Sequence, residues 1–123
     1  QKPGKPFWFG SNNITFVFGL PGNPVSTYLC FYRYILPWLW KSFGIEHAIQ
    51  TAVLSEDYSF KPPLTYFLQV KIQNENGQLI AYPRTGEGSG DFANLVEVDG
   101  FLELPGDQDL FRKGQAYIFT KFR

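Results

Sequence analysis

The sequence predicts a strand–turn–helix of α/β type followed by a small all-β domain, built as a barrel or a sandwich. Three observations carry this. Ile14 to Phe18 is a continuous apolar run, which fits a strand covered on both faces. A long apolar helix pattern follows, opened by Asn23-Pro24 and stopped by Gly44. After Ile45 the pattern changes to short β-rich runs separated by turn signals.

In chain order, Lys2-Pro3-Gly4-Lys5-Pro6 comes first. Two lysines flank a Pro-Gly turn, so both ammonium groups can lie near one point; the plain alternative is a solvated basic loop. Phe7-Trp8-Phe9 reads as a short strand, ended by Gly10-Ser11-Asn12-Asn13, which is turn chemistry. Phe18-Gly19-Leu20-Pro21-Gly22-Asn23-Pro24-Val25-Ser26 then reads as strand end, tight turn and helix start. Asn23 can cap the first-turn amides, and Pro24 suits the first helical position because its missing N–H costs nothing there. Gly19 and Gly22 permit unusual backbone and the close approach of a ligand. Ser26 falls among unpaired amides at the positive end of the helix dipole, a place suited to an oxyanion. The same residues also make an ordinary strand–turn–helix connection.

The helix is expected from about Pro24 to about Phe43. Arg33 is its one charge before Lys41, so it is buried or packs against something outside this chain. Pro37 should kink it or tighten its last turn. Strands are expected at Thr51–Ser55, Thr65–Gln73, Gln78–Tyr82, Gly100–Leu104 and Gln115–Lys121. Asn76-Gly77 marks a hairpin between two of them. Asp91 to Val96 could form one helical turn. Residues 1–46 therefore read as the tail of an α/β domain, and residues 47–123 as a complete β-domain.

Composition narrows the function. The chain has 123 residues, no methionine and an amino-terminal glutamine, so it reads as a fragment or a processed chain. A lone strand–turn–strand–helix cannot bury its own apolar faces, which points the same way. Eleven basic residues balance eleven acidic ones, which argues against nucleic acid or an anionic membrane as partner. Aromatics reach 19%, a load that needs dense burial or a covering domain. The single cysteine, Cys30, excludes an internal disulfide and reads as a small core residue. The apolar run Tyr28 to Trp40 is too short to span a bilayer and contains Arg33 and Pro37.

His47, the one histidine, reads as a surface linker residue; no Ser/His/Asp set forms around it. Glu56-Asp57 would point to opposite faces of a strand, and no spacing resembles a metal site. Gly86-Glu87-Gly88-Ser89-Gly90 lacks the lysine and helix of a P-loop, yet such loops can offer amides and a hydroxyl to an anion. The Lys2/Lys5 turn, the helix start at Ser26 and the Ser89 loop together suggest an oxyanion or phosphate site where the α/β part meets the β-domain.

These motifs carry a resemblance. Lys2-Pro3-Gly4-Lys5-Pro6-Phe7, Gly19-Leu20-Pro21-Gly22-Asn23-Pro24-Val25-Ser26, and Gly88-Ser89-Gly90 followed by Leu95 and Asp99-Gly100 resemble, in order and spacing, the molybdopterin molybdenumtransferase (MoeA) family, which includes the gephyrin E-domain. The resemblance runs the whole length but covers only that family's C-terminal part: the tail of the central α/β domain and the C-terminal β-barrel. It implies insertion of molybdate into adenylylated molybdopterin with release of AMP, in a cytoplasmic homodimer. It implies Lys2, Lys5, Ser26 and Ser89 as the molybdate-binding residues. Gly19, Pro21, Gly22, Asn23, Pro24, Gly88 and Gly90 would shape the substrate loops. It also implies magnesium, with ligands upstream of this chain, and no metal ligand or catalytic residue within it. Lysines, hydroxyls and a helix start suit a dianion and a phosphorylated substrate.

The sequence departs from the family pattern on one strand. Many members carry Gly-Arg-x-Glu-Phe-x-Arg there, where this chain has Pro63-Leu64-Thr65-Tyr66-Phe67-Leu68-Gln69. Both arginines are lost, and Glu87 stands where glutamine is common; each change weakens an anion site. Arg84 is nearby in sequence and is a candidate to compensate. The isolated chain is expected to be inactive. The alternatives are a non-enzymatic binding module of gephyrin type, favoured by the lost arginines, and a tungstate-handling relative, because the two oxyanions share charge and nearly share shape.

Overall fold

Two strands, β1 (Trp8–Ser11) and β2 (Phe16–Gly19), pair as an antiparallel ribbon with Trp8 opposite Gly19. The computed structural model describes residues 8–11, 16–19, 24–84 and 97–122. Ile14 was expected to open a strand covered on both faces. Among the described residues, that strand has a single partner, β1.

The helix has three consecutive parts: α1 (Pro24–Cys30), a π-helical turn (Phe31–Ile35) and α2 (Leu36–Ser42). The Leu36 amide bonds the Phe31 carbonyl, a five-residue span. Pro37 is the second residue of α2, and the disturbance expected from it, a kink or a tightened last turn, is found as a widened turn just before it. The reason is steric. A proline ring collides with the carbonyl four residues back, and a wide turn just before it relieves the collision. The helix closes as expected at Gly44. Its φ is +72°, the Gly44 amide bonds Lys41 O at 3.1 Å, and the Ile45 amide bonds Trp40 O at 2.8 Å. This pair of bonds is a Schellman closure, which satisfies two end carbonyls.

The β-rich half is a closed five-stranded barrel. Its strands are β3 (Gln50–Leu54), β5 (Tyr66–Glu75), β6 (Gln78–Pro83), β7 (Gly100–Leu104) and β9 (Ala116–Lys121). The order around the barrel is β3-β6-β5-β7-β9. Antiparallel pairing of β3 with β9 and parallel pairing of β3 with β6 close it. Closure leaves no open edge in this sheet. β4 (Tyr58–Ser59) and β8 (Leu110–Phe111) form a short extra pair that the sequence patterns did not separate from loop. The β5–β6 hairpin turns at Asn76 and Gly77, with φ of +55° and +86°. Two positive φ values match the type I′ turn that Asn-Gly favours.

Alternation along the strands sorts the residues. Leu68, Val70, Leu102 and Leu104 point into the barrel and are fully buried. Their neighbours Phe67 and Phe101 point outward, where they are covered with Leu29 of α1 and with Val98. The barrel thus has an inner core and a second, outer apolar cluster that seats the helix. Glu56-Asp57 is not strand: it lies in the bend between β3 and β4, and Asp57 Oδ1 accepts the Lys113 amide at 2.8 Å.

Candidate functional site

Ser26 lies in the first turn of α1 and is buried, 6% exposed. Leu29 and Cys30, one turn on, are completely buried. Spacings of three and four put Ser26, Leu29, Cys30 and Arg33 on one face of a helix, and Leu29 and Arg33 meet the barrel. Burial in an apolar run pushes the Cys30 thiol up to about 11, so it stays protonated and is no nucleophile near neutral pH. Gly19 ends β2 and Pro24 opens α1. Lys2, Lys5, Pro21, Gly22, Asn23, Gly88, Ser89 and Gly90 lie outside the described residues.

The described backbone fixes where β1, β2 and the strands flanking residues 85–96 begin and end. Because Trp8 pairs with Gly19, the chain enters β1 at the same end of the ribbon where it leaves β2. The first described residue of β1 and the last residue of β2 are therefore neighbours. On the barrel, segment 85–96 leaves after Arg84 and returns at Glu97. Both ends are held on β5: the Arg84 amide bonds Gln69 O at 2.8 Å, and the Asp99 amide bonds Val70 O at 2.9 Å. Val98, at the return, packs with Leu29 in the outer cluster. Leu29, one turn after Ser26, and Val98, two residues after segment 85–96, thus belong to the same apolar cluster.

Asp99 and Gly100 stiffen that stem. Asp99 Oδ2 accepts the Ile72 amide at 2.7 Å, and its carbonyl accepts the Phe122 amide at 3.1 Å. This one residue ties β5 and the end of β9 together where the β5–β7 ladder stops.

The two positions that lost arginines are now placed. Leu64 precedes β5, is 38% exposed and lies against Gly106. Gln69 lies near the other end of the β5–β7 pairing, opposite Phe101. Arg84 meets Gln69 through its backbone, and its Nη1 donates to Pro83 O at 3.1 Å. It therefore stands beside the position of the second lost arginine. Gln69 also carries a feature the sequence did not show. Its Oε1 is buried, and no described residue supplies a hydrogen bond to it.

A groove of about 770 Å³ runs between α2 and β9, lined by Leu36, Pro37, Trp40, Ile49 and Phe119 among others. His47 lies at this groove with its ring centre 4.1 Å from Trp40, on the exposed linker. Among the described residues, no three His, Cys, Asp or Glu side chains come together to hold a metal ion. No helix among them is long and apolar enough to cross a membrane.

The profile of the MoeA C-terminal region (domain IV) matches residues 51–120, which contain the whole barrel except its outermost residues. The chain belongs to the MoeA family. A molybdopterin molybdenumtransferase of Synechocystis sp. is 42% identical over 122 residues, covering 97% of this MoeA chain and 29% of the relative. A molybdopterin molybdenumtransferase of Bacillus subtilis is 28% identical, covering 94% of this chain and 28% of the relative. A solved MoeA protein of Pyrococcus horikosii superposes with a TM-score of 0.74 at 31% identity, over 99% of this chain and 30% of that one. This MoeA chain thus spans less than a third of the length of these relatives.

Proposed function

We propose that this chain is the C-terminal part of a molybdopterin molybdenumtransferase, which inserts molybdate into adenylylated molybdopterin and releases AMP. Residues 1–46 are taken as the end of the central α/β domain and residues 47–123 as the barrel domain. The observation that carries the reading is that Leu29 and Val98 share one buried apolar cluster. It supports a site in which the Ser26 helix and the Ser89 loop face one anion. The register of Trp8 with Gly19 supports the approach of Lys2 and Lys5 from the same side.

The chemistry is that of charge-assisted donors. Ammonium groups at Lys2 and Lys5 would neutralise the dianion, while the Ser26 and Ser89 hydroxyls would donate to its oxygens. Burial of Ser26 keeps bulk water from competing for that contact. The glycines at 19, 22, 88 and 90 would let backbone amides approach the oxyanion. Magnesium, as the divalent cation of this chemistry, is assigned to residues upstream of this chain; the described residues offer no cluster for it. A cytoplasmic homodimer belongs to the same proposal, and the isolated chain is taken as inactive.

The test is molybdate-dependent AMP release from adenylylated molybdopterin by the intact protein, beside Lys5→Ala and Ser26→Ala. Release that needs the oxyanion and falls at least tenfold in both variants upholds the reading, since each variant removes one charge-assisted or hydroxyl donor. A folded intact protein that releases no AMP overturns it. Arg84 is the candidate to compensate for the lost arginines, and a molybdate affinity of the intact protein that Arg84→Ala leaves unchanged removes it from that role.

A further inference from the structure

We propose that Arg33 and Glu103 form the clasp that holds the Ser26 helix in one rotational setting on the barrel. Both are then positioning residues for the anion site. This rests on the function proposed above, which it deepens. Arg33 Nε donates to Glu103 Oε1 at 2.8 Å across 70 residues of sequence. The Glu103 side chain is 19% exposed and that of Arg33 is 33% exposed.

The location is unusual for a carboxylate. Glu103 points outward from β7, opposite Phe67 on β5 and Ile118 on β9. An apolar residue would suit that row, since the next outward residue, Phe101, packs with Leu29. Burying an ion pair gains little stability over well-packed apolar groups, so stability alone does not call for charge here. Direction is what the pair adds. The contact of Leu29 with Phe67, Phe101 and Val98 is apolar and tolerates rotation or sliding of the helix. A single Nε–H···O bond does not. Arg33 shares the barrel-facing stripe with Ser26 and Leu29, so any turn of the helix that parts Arg33 from Glu103 also turns Ser26. Arg33 also sits in the π-helical turn, a form frequent at functional sites. Its guanidinium lies 5.3 Å from the Tyr34 ring centre, a second restraint on its direction.

The deciding variant is R33L/E103L in the intact protein, read three ways: melting temperature, KM for molybdate in AMP release, and hydrogen exchange of the amides at 27–30. The expected result is a melting temperature that holds, faster exchange at those amides, and a molybdate KM raised about tenfold with kcat changed less. Arg33→Lys, which keeps the charge but loses the guanidinium fork, should also raise KM with melting unchanged. Unchanged exchange and KM in R33L/E103L overturn the proposal, and so does a collapse of its melting temperature, which would mark a purely structural pair. If the parent protein releases no AMP, the functional reading fails by itself, and the exchange measurement alone then decides the clasp.

Discussion

At Gly100, β9 crosses so closely that a methyl group would meet the Thr120 carbonyl, with the Phe119 ring 2.7 Å away. Gly100→Ala must therefore push β7 from β9, at a cost of about 1–3 kcal/mol in urea unfolding. The preceding Asp99 is held for its acceptor. Asp99→Ala leaves the Ile72 amide without its partner and should cost about 1–3 kcal/mol, whereas Asp99→Asn, which keeps an oxygen, should cost less. Cys30 makes a pH-dependent contribution of definite sign. Burial raises its thiol from 9.0 to about 11, so the folded state holds the proton longer than the unfolded chain does. That share of stability is present in full below pH 9 and is lost as the pH rises towards 11. Cys30→Ala should show a flatter fall in urea midpoint between these values. Asp99 was visible in sequence only as part of a resemblance, and Gly100 also as the start of a strand; the structure supplies their physical reasons.

The elements were legible where local chemistry decides them. Asn76-Gly77 needs two positive φ values, and Gly44 needs one, so both turns were readable in sequence. Nothing lies within 4 Å of a Cβ added at Gly44, so Gly44→Ala should cost only the backbone strain, about 1 kcal/mol by thermal unfolding. Pro37 was legible as a disturbance but not as a π turn. Tightening and widening both accommodate a proline, and the local sequence does not distinguish them. The two-residue strands β4 and β8 escaped notice because two residues carry no period.

At the scale of the molecule, the barrel core and the helix seam differ in size. Among the described residues, ten buried ones form the inner cluster and four the outer one, so the seam should open first. Leu68→Ala should cost about 2–5 kcal/mol and speed hydrogen exchange across the barrel. Leu29→Ala removes a similar volume from the seam, so its exchange should quicken in the helix and at Val98 while the barrel ladder stays protected. The reverse pattern would mean that helix and barrel unfold as one unit. The sequence by itself determined the five barrel strand segments, the hairpin turn, the helix stop and the family motifs, because these depend on neighbours within a few residues, whereas Gly10 and Ser11, read as turn, continue β1. Only the tertiary structure decided the parallel β3–β6 closure, the place of Arg84 beside Gln69, the cluster that Leu29 shares with Val98 and the Arg33–Glu103 bond. Each of these joins residues far apart in the chain, and no local pattern encodes which distant group a side chain will meet.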